Sequence, residues 1–393
     1  MKQKKKLFKN YITYYKNAGF FPHFFYIILR VIIVNDFIIK TNNGRCIYLF
    51  DNDGLCMKDL TSYSNRYKLI YPESAGDFGA VDTGFGEIGV ICQNKEGSIV
   101  FIKENDGEFI KTILLNSKNK IVYDKYFVIL LHGRWIGISY IIEYKENNLL
   151  SFQIVNNENE PPMAVDYIKN KKYFTFVDND YNRMFIYNKD DGFGYKAFKW
   201  SQKRFEEYEF LEEGELVTAL EGFSDDCFII FKKDGKNYLL KLKYHGINMI
   251  KETYLLDFID KYDDLSLMLD KNILWIIAEK NDFVIAYKTD TNQISFSSQY
   301  NIFTEGKVKK IKTVLNDSDK NAVECFGTVK EYTPELLLYK DLKRCNYKAM
   351  LKQEDDNRNE RIELKRTLEK IEIRLKLLEE KEREKKNSEN KEQ

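Results

Sequence analysis

A recurring β-hairpin pattern constrains the fold of this chain more than any other sequence feature. Its clearest example runs from Ser98 to Leu115, where two runs rich in β-branched and aromatic residues flank the turn Asn105-Asp106-Gly107. Asp and Gly tolerate positive φ, which a tight hairpin needs if its twist is to match that of its strands. The stretch therefore predicts two antiparallel strands joined by a short turn.

The hairpin pattern returns along the chain, with turns spaced about 40 to 55 residues apart. This is the length range of one four-stranded propeller blade. Besides the stretch above, the predicted hairpins are Cys46–Phe50 with Leu55–Leu60, Tyr140–Tyr144 with Leu149–Val155, Met184–Tyr187 with Tyr195–Trp200, Tyr238–Leu242 with Met249–Leu255, Phe283–Tyr287 with Gln293–Phe296, and a last one that begins at Leu336–Tyr339.

Further apolar runs precede most of the hairpins and fit the second strand of each blade. A central strand that is covered on both faces reads as a near-continuous apolar run, and Asn272–Ala278 is the clearest case. The runs assigned to second strands are Glu87–Cys92, Tyr126–Leu131, Tyr173–Val177, Cys227–Phe231 and Leu274–Ala278.

This spacing of strands and turns resembles the β-propeller superfold of WD40 and kelch proteins, over about residues 24–347. The resemblance implies an all-β fold of about seven blades, with six or eight as alternatives, each blade a four-stranded antiparallel sheet. Blades stacked in a closed ring cover each other's apolar faces and leave no long unpaired edge. The Gly-His and Trp-Asp signatures of WD40 blades and the paired glycines of kelch blades are missing, so no functional residues carry over.

The N-terminal region differs in composition from the hairpin region. Residues 1–20 begin with a lysine run and continue with apolar residues at helical spacing, which predicts a short basic amphipathic helix. The apolar run Phe24–Val34 predicts a strand that completes the last blade. A membrane anchor is the alternative, although Phe20–Val34 is shorter than the roughly 20 residues of a spanning helix and contains Arg30.

The C-terminal region, residues 348–393, predicts a charged coiled-coil helix with a frayed end. Neither Gly nor Pro occurs after Pro334, and the apolar positions alternate steps of four and three over about two and a half heptads. These positions are Leu364, Leu368, Ile371, Leu375 and Leu378. The predicted organisation is a helix over 1–20, a propeller over 21–347 and a coiled coil over 348–393.

Composition restricts the partners and the compartment. The 62 Lys and Arg residues nearly balance the 61 Asp and Glu residues, which leaves a net charge of +1. No overall field therefore draws the chain to nucleic acid. The six cysteines are scattered without a close pair, which favours free thiols in a reducing compartment such as the cytoplasm.

Several motifs resemble known sites without their structural context. The segment Gly84–Gly89 matches a dinucleotide fingerprint, but the chemistry needs a following helix and Val90-Ile91-Cys92 indicates a strand. The segments Asp51–Gly54 and Asp178–Asp180 resemble calcium loops without the distal bidentate acid. No Cys or His pair has zinc-ligand spacing. We therefore expect no metal, no cofactor and no catalytic residue of these types.

The most chemically varied cluster is His132-Gly133-Arg134-Trp135, which follows a strand. It fits a loop at one face of the ring, so His132, Arg134 and Trp135 are candidate partner-binding residues; the alternative is a structural His beside a Trp. The basic, aromatic run Lys196–Arg204 is interpreted as a solvated edge, because acidic residues follow it directly.

The sequence therefore indicates a non-catalytic, cytoplasmic protein-interaction scaffold. The propeller presents a binding face, while the C-terminal helix mediates self-association or docking on a partner protein. One alternative is a propeller enzyme that acts on glycans through carboxylates at the funnel mouth. Others are a membrane-associated module held by residues 7–34, and a structural component of a phage or secretion-type assembly.

Overall fold

The computed structural model describes residues 36–338, with gaps at 63, 65, 85, 117–120, 132–134, 145–146, 156–159, 178–181, 223–225, 246–247, 263, 271, 282, 297–298, 303, 305 and 315–322. The chain divides into two units, Met1–Lys340 and Asp341–Gln393, and every described residue belongs to the first. The predicted helices over 1–20 and 348–393, and the predicted strand Phe24–Val34, lie outside the described residues. These elements, and the domain boundaries, remain predictions from the sequence.

The described part of the chain is all-β and contains no α-helix; its one helical turn is a 3-10 turn at Asp257–Ile259. Its strands form six sheets. Sheet A contains β1 (Phe37–Lys40), β2 (Cys46–Asp51), β3 (Leu55–Asp59) and β4 (Lys68–Tyr71). Sheet B contains β5 (Ser74–Asp82), β6 (Ile88–Asn94), β7 (Ile99–Asn105) and β8 (Glu108–Leu115). Sheet C contains β9 (Val122–Leu130), β10 (Ile136–Tyr144), β11 (Asn147–Val155) and β12 (Met163–Ile168).

The later strands continue the same order. Sheet D contains β13 (Tyr173–Val177), β14 (Arg183–Lys189), β15 (Gly192–Lys199), β16 (Arg204–Phe205) and β17 (Glu209–Glu212). Sheet E contains β18 (Glu215–Glu221), β19 (Asp226–Lys233), β20 (Lys236–His245) and β21 (Asn248–Leu255). Sheet F contains β22 (Asp264–Asp270), β23 (Ile273–Lys280), β24 (Phe283–Asp290) and β25 (Gln299–Ile302). The last strands, β26 (Lys309–Val314), β27 (Val323–Lys330) and β28 (Thr333–Leu336), join sheet A.

Tight turns build the antiparallel sheets in the way that the sequence predicts. The turn between β7 and β8 has Asp106 at φ +50° and Gly107 at φ +79°, and the turn between β19 and β20 repeats this with Asp234 and Gly235. Two successive positive φ values give a turn whose twist matches that of the strands. The hairpin from Ser98 to Leu115 is thereby confirmed.

Apolar side chains fill the spaces between successive sheets. Five buried clusters lie between sheets A and B, B and C, C and D, D and E, and E and F. Between C and D, for example, the ring of Phe152 lies 5.5 Å from that of Phe185 and 5.1 Å from that of Phe198. Sheets B to E therefore bury both faces against their two neighbours in chain order, as propeller blades do.

The parallel pairing of β1 with β26 brings the two ends of this series together. Phe37 is paired with Lys312 and Ile38 with Thr313, while β1 pairs with β2 on its other side. Every other pairing between the described strands is antiparallel. The first and last strands of the series thus share one sheet, and the succession of sheets closes on itself. The prediction of an all-β, propeller-type fold is confirmed at this level.

A buried ion pair connects the same junction to sheet B. The ammonium of Lys312 on β26 lies 2.7 Å from a carboxylate oxygen of Asp77 on β5, and their side chains are only 11% and 4% exposed. Asp36, directly before β1, has a fully buried carboxylate that accepts a hydrogen bond from Tyr48 and pairs with Lys309. Charge pairing therefore accompanies the backbone pairing where the ring closes.

The hairpins do not occupy equivalent places in their sheets, which differs from the prediction. The turns of β2–β3, β10–β11 and β14–β15 join second and third strands, whereas those of β7–β8, β20–β21 and β24–β25 join third and fourth strands. Because tight turns occur at both places, the spacing of turns alone does not show which two strands of a sheet a given hairpin supplies. For the same reason, Tyr126–Leu131 and Tyr173–Val177 lie in first strands, not in second strands.

Two predicted hairpins have different bounds in the structure. The partner of β24 is Gln299–Ile302, and the predicted strand Gln293–Phe296 is irregular. The last hairpin is β27–β28 with its turn at Glu331 and Tyr332, so Leu336 ends a strand where the prediction begins one. Both turn residues have positive φ without being Gly or Asn, which is why composition gives no signal for this turn.

Replacing Lys312 with Met tests how much the ring depends on its closing ion pair. The substitution leaves the buried carboxylate of Asp77 without its hydrogen-bonded cation, although the charge of Lys125 still acts on it. Breaking a buried pair in this way costs about 3–5 kcal/mol. We expect the free energy of unfolding, measured in urea, to fall by an amount in that range. Lys233→Met removes a partner of the exposed Lys233–Glu213 pair and should leave stability unchanged; equal losses in both variants would contradict the role of the closing pair.

Candidate functional site

Polar side chains from β5, β9, β13 and β26 meet in what we call the polar centre, defined by Asp77, Lys125, Tyr173 and Lys312. Lys312 pairs with Asp77, whose other oxygen accepts the backbone N–H of Tyr126 at 3.3 Å. The hydroxyl of Tyr173 donates to the carbonyl of Lys125 at 2.5 Å. Sheets A, B, C and D therefore share one polar network.

Two β-bulges produce this meeting of charges. On β5, the pairing register with β6 shifts between Ala75 and Phe78. On β9, the pairing register with β10 shifts between residues 124 and 127. Asp77 and Lys125 lie at these shifts, and a bulge re-aims the side chains it carries. Burial lowers the pKa of Lys125, but the negative charges of Asp77, Glu324 and Asp124 outweigh this and hold it above its ordinary value. The acidic neighbours of Lys125 therefore stabilise the protonated form of its side chain.

Arg183 on β14 is the largest fully buried side chain of the described residues, at 1% exposure. One of its terminal nitrogens donates to the hydroxyl of Thr175, whereas Nε and Nη1 have no hydrogen-bond partner among the residues that the structure describes. Burial lowers the pKa of Arg183 to about 9, although the charge of Glu221 opposes this. Two buried nitrogen donors of this guanidinium therefore lack an acceptor within the described residues, which is costly for a charged group.

Of the residues predicted to bind a partner, Trp135 is the one that lies within the described part of the chain. His132, Arg134, Leu364, Leu368, Ile371, Leu375 and Leu378 lie outside it. Trp135 ends the connection between β9 and β10, where its carbonyl accepts the N–H of Leu131 at 2.6 Å. Its indole is half-buried against the apolar cluster between sheets C and D.

The structure places Trp135 beside residues from the basic, aromatic run Lys196–Arg204. The indoles of Trp135 and Trp200 meet edge to face, with ring centroids 5.3 Å apart. The ammonium of Lys203 lies 3.0 Å from the centroid of Trp200 and 4.5 Å from that of Trp135. These three residues form what we call the Trp cluster, which links a connection of sheet C to a connection of sheet D.

The backbone holds the Trp cluster in place. The N–H of Trp200 donates to the side-chain oxygen of Asn182 at 3.1 Å, and Lys203 has φ +53°, a left-handed conformation that few non-glycine residues adopt. Burial against the indoles lowers the pKa of Lys203, and the negative charge of Glu160 opposes this. The cluster therefore presents two aromatic surfaces together with one cation, a combination suited to aromatic, apolar or anionic groups of a partner.

The interpretation of Lys196–Arg204 as a solvated edge agrees with the exposure of residues 201–204, but it did not identify the contact of Trp200 and Lys203 with Trp135. The sequence did contain an indication of a binding surface, because Trp200 and several basic residues occur together in this short run. Their contact with Trp135 spans more than sixty positions of sequence and depends on how sheets C and D pack, which no local pattern specifies.

The other sequence motifs have structural roles where the structure describes them. Gly84 and Gly86 lie in the connection from β5 to β6, and the strand predicted at Val90-Ile91-Cys92 lies within β6. Asp51 to Gly54 form the turn between β2 and β3. No cluster of three or more His, Cys, Asp or Glu residues capable of holding a metal ion occurs among the described residues.

The described cysteines are free thiols, and all are buried: Cys46, Cys56, Cys92, Cys227 and Cys325. Burial raises the pKa of the Cys46 and Cys92 thiols to about 12, so neither is an activated nucleophile. Within residues 36–338 as described, no helix has the length and apolarity to cross a membrane.

Comparisons with known proteins identify no family. No protein-family model matches the chain, and no curated protein sequence is significantly similar to it. The similar solved structures include hydrazine synthase of Kuenenia stuttgartiensis, with 9% identity and a TM-score of 0.46 over 65% of this chain and 76% of that one. Another is the lectin of Aleuria aurantia, with 11% identity and a TM-score of 0.39 over 68% and 95% of the two chains.

A third is prolyl oligopeptidase B of Galerina marginata, with 10% identity and a TM-score of 0.48 over 74% of this chain and 46% of that one. At these TM-scores and identities the three proteins, which differ in activity, carry no argument about the function of this chain.

Titration of tryptophan fluorescence tests the contact of Lys203 with the Trp cluster. In a Trp275→Phe background, which leaves the two clustered indoles, we expect a fluorescence change as the ammonium loses its proton. Because the pKa of Lys203 is lowered, its midpoint should lie below the ordinary value of about 10.4. Adding Lys203→Met should remove this transition; identical curves with and without Lys203 would show that the ammonium is not on the indoles.

Proposed function

We propose that this protein is a non-catalytic binding scaffold, a seven-bladed ring that binds a protein partner at the end carrying the Trp cluster. The observation that carries the proposal is the pair of half-buried indoles at the junction of two blades, with a lysine ammonium on their faces. Trp is enriched among the residues that dominate binding energy at protein interfaces, and a rigid scaffold with exposed connections suits such a surface.

A count of seven blades follows if sheet A supplies two of them. Its halves, β1–β4 and β26–β28, pack face to face in addition to sharing the β1–β26 pairing: the rings of Phe50 and Tyr332 stack at 4.9 Å, and Lys58 donates to Thr333 at 3.1 Å. Face-to-face packing is how separate blades contact each other. With sheets B to F, the total is seven.

Strand direction supports a shared end for the residues of the Trp cluster. In a four-stranded antiparallel sheet, the connection from first to second strand lies at the same end as that from third to fourth strand. Trp135 lies in the first kind of connection, and Trp200 and Lys203 lie in the second. The indoles are therefore presented at one end of the ring.

An enzyme of the glycosidase type would need a carboxylic acid whose pKa is raised, so that it can donate a proton. Asp166 is a half-buried carboxyl with the opposite behaviour. Burial raises its pKa, but contacts from Lys189 and the Tyr187 hydroxyl outweigh burial and leave the pKa below its ordinary value. This carboxylate, on the outer strand β12, therefore fits a structural role better than proton donation.

The Trp cluster is tested by comparing full-length variants in affinity capture with quantitative mass spectrometry. We expect Trp200→Ala to reduce capture of the partner by about tenfold or more, as truncation of a central interface Trp does. The matched control is Phe283→Ala, because Phe283 is 49% exposed and begins β24 at a connection between second and third strands, at the other end. Equal capture by both variants would contradict a partner site at the Trp cluster.

The C-terminal helix, whose apolar stripe runs from Leu364 to Leu378, is proposed to mediate self-association or docking. If it forms a coiled coil between copies of this chain, sedimentation equilibrium should show an oligomer of 46.7 kDa subunits. Leu368→Asp combined with Leu375→Asp should yield the monomer, since charge at these positions prevents the apolar seam. Arg366→Asp, off the stripe, is the control. A monomeric wild type would assign the helix to another partner.

A further inference from the structure

The side chains of the Trp cluster are hydrogen-bond donors that lack matching acceptors. The indole N–H groups of Trp135 and Trp200 and the ammonium of Lys203 meet no acceptor among the described residues. Indole and ammonium groups donate hydrogen bonds and cannot accept them. The cluster is therefore complementary to a chemical group that only accepts hydrogen bonds, of which the carboxylate is the commonest in proteins.

The hairpin formed by β15 and β16 carries more positive charge than its neighbouring carboxylate neutralises. The ammonium of Lys199 lies 3.5 Å from a carboxylate oxygen of Glu206. Arg204, by contrast, donates from Nε to the neutral side-chain oxygen of Gln202 at 2.6 Å. Neither Lys203 nor Arg204 forms an ion pair with a carboxylate of the described residues. Two exposed cations beside the indoles are thus left for a partner.

The backbone of this hairpin holds its cations together at a cost in stability. Arg204 is paired with Lys199 across the two strands, and like charges directly opposite each other destabilise an antiparallel pair. Lys203 adds backbone strain, because its φ is +53°. Local features that oppose stability concentrate at functional sites. An anion bound at the end of this hairpin would reduce the repulsion between its cations.

Glu160 provides a negative charge near the cluster without using the donors of Lys203. It lies shortly before β12 in sheet C. Burial lowers the pKa of Lys203, and the negative charge of Glu160 opposes this. The two side chains do not form a direct ion pair, so the carboxylate acts on the ammonium from a distance. Glu160 therefore competes with an incoming anion for the charge of Lys203 but does not occupy its donors.

We propose that the Trp cluster binds an acidic peptide segment of the protein partner, with an Asp or Glu carboxylate at Lys203 and Arg204 and an adjoining apolar side chain against the indoles. This inference rests on the proposed function and names the chemistry that the binding end recognises. A nucleic acid fits less well, because it needs cations spread along a phosphate backbone, whereas this surface offers two unpaired cations on a chain of net charge +1.

Selection from short random peptides displayed on phage tests the ligand chemistry, with the full-length chain as bait. Counter-selection uses the double variant Lys203→Glu and Arg204→Glu; both residues are exposed, so the fold is retained. We expect peptides that are retained by the wild type and not by the double variant to be enriched in Asp and Glu beside apolar residues.

Fluorescence polarisation with a synthetic, fluorescein-labelled copy of a selected peptide then measures each contact. Lys203→Met should weaken binding by about tenfold, the effect of losing one charged hydrogen bond. Replacing the acidic residues of the peptide with Asn and Gln should have a similar effect. Phe283→Ala, at the other end of the ring, is the control and should leave the affinity unchanged.

Glu160→Gln supplies a test in the opposite direction. It removes the charge that competes with the peptide carboxylate, so binding should tighten by about threefold, the scale of one interaction between exposed charges. A purely structural role of the cluster gives no such increase. Unchanged or weaker binding by this variant, at an unchanged thermal unfolding midpoint, would contradict a competing role of Glu160 at the site.

The results that would overturn the inference differ from those that would overturn the proposed function. Selected peptides without acidic enrichment, or equal affinity for the acidic peptide and its amide form, would reject acidic recognition even if Trp200→Ala still reduced partner capture. Tighter, Lys203-dependent binding of labelled oligodeoxythymidine or of phosphatidylglycerol vesicles would assign the site to phosphate groups instead. If no peptide distinguished the wild type from the double variant and Trp200→Ala left capture unchanged, both proposals would fall.

Discussion

The parallel pairing of β1 with β26 is the interaction on which the rest of the structure depends. Each blade-like sheet has two apolar faces and covers them only by contacting a neighbour on either side. Sheets A to F pack in sequence, and the β1–β26 pairing joins the two halves of sheet A. The half that contains β26–β28 contacts sheet F, where Ser266 on β22 donates to the carbonyl of Glu324 on β27. The Lys312–Asp77 ion pair then connects β26 to β5 across the junction, so the closing sheet is held to its neighbour by charge as well as by backbone bonds.

The candidate site follows from this arrangement because it lies between sheets and not within one. Trp135 and Trp200 belong to connections of sheets C and D and meet only because Phe152, Phe185 and Phe198 pack those sheets together beneath them. The ring thus acts as a rigid support for two connections that come from distant parts of the chain. Rigid support of half-buried aromatic groups reduces the ordering entropy that binding would otherwise require.

Much of the fold could be predicted from the sequence, since turns such as Asp106-Gly107 and runs such as Ile273–Ala278 are local signals of hairpins and covered strands. The position of each strand within its sheet could not be predicted, because tight turns join second to third strands in some sheets and third to fourth strands in others. The polar centre was also beyond the sequence: Asp77 and Lys125 meet at bulges that have no compositional signature. For the candidate site, the sequence singled out Trp135 but not Trp200 or Lys203, because proximity between sheets is a tertiary property.

The most direct measurement of ring closure is the residue-resolved hydrogen exchange of the Lys312 amide. This N–H donates to the carbonyl of Asp36 at 2.9 Å, directly before β1, and so bridges the last and first parts of the ring. If closure is part of the native fold, this amide exchanges only through global unfolding, with the same free energy as the core amides of β19. Exchange at nearly the rate of an unstructured peptide, while β19 stays protected, would show that the ring is open between β26 and β1.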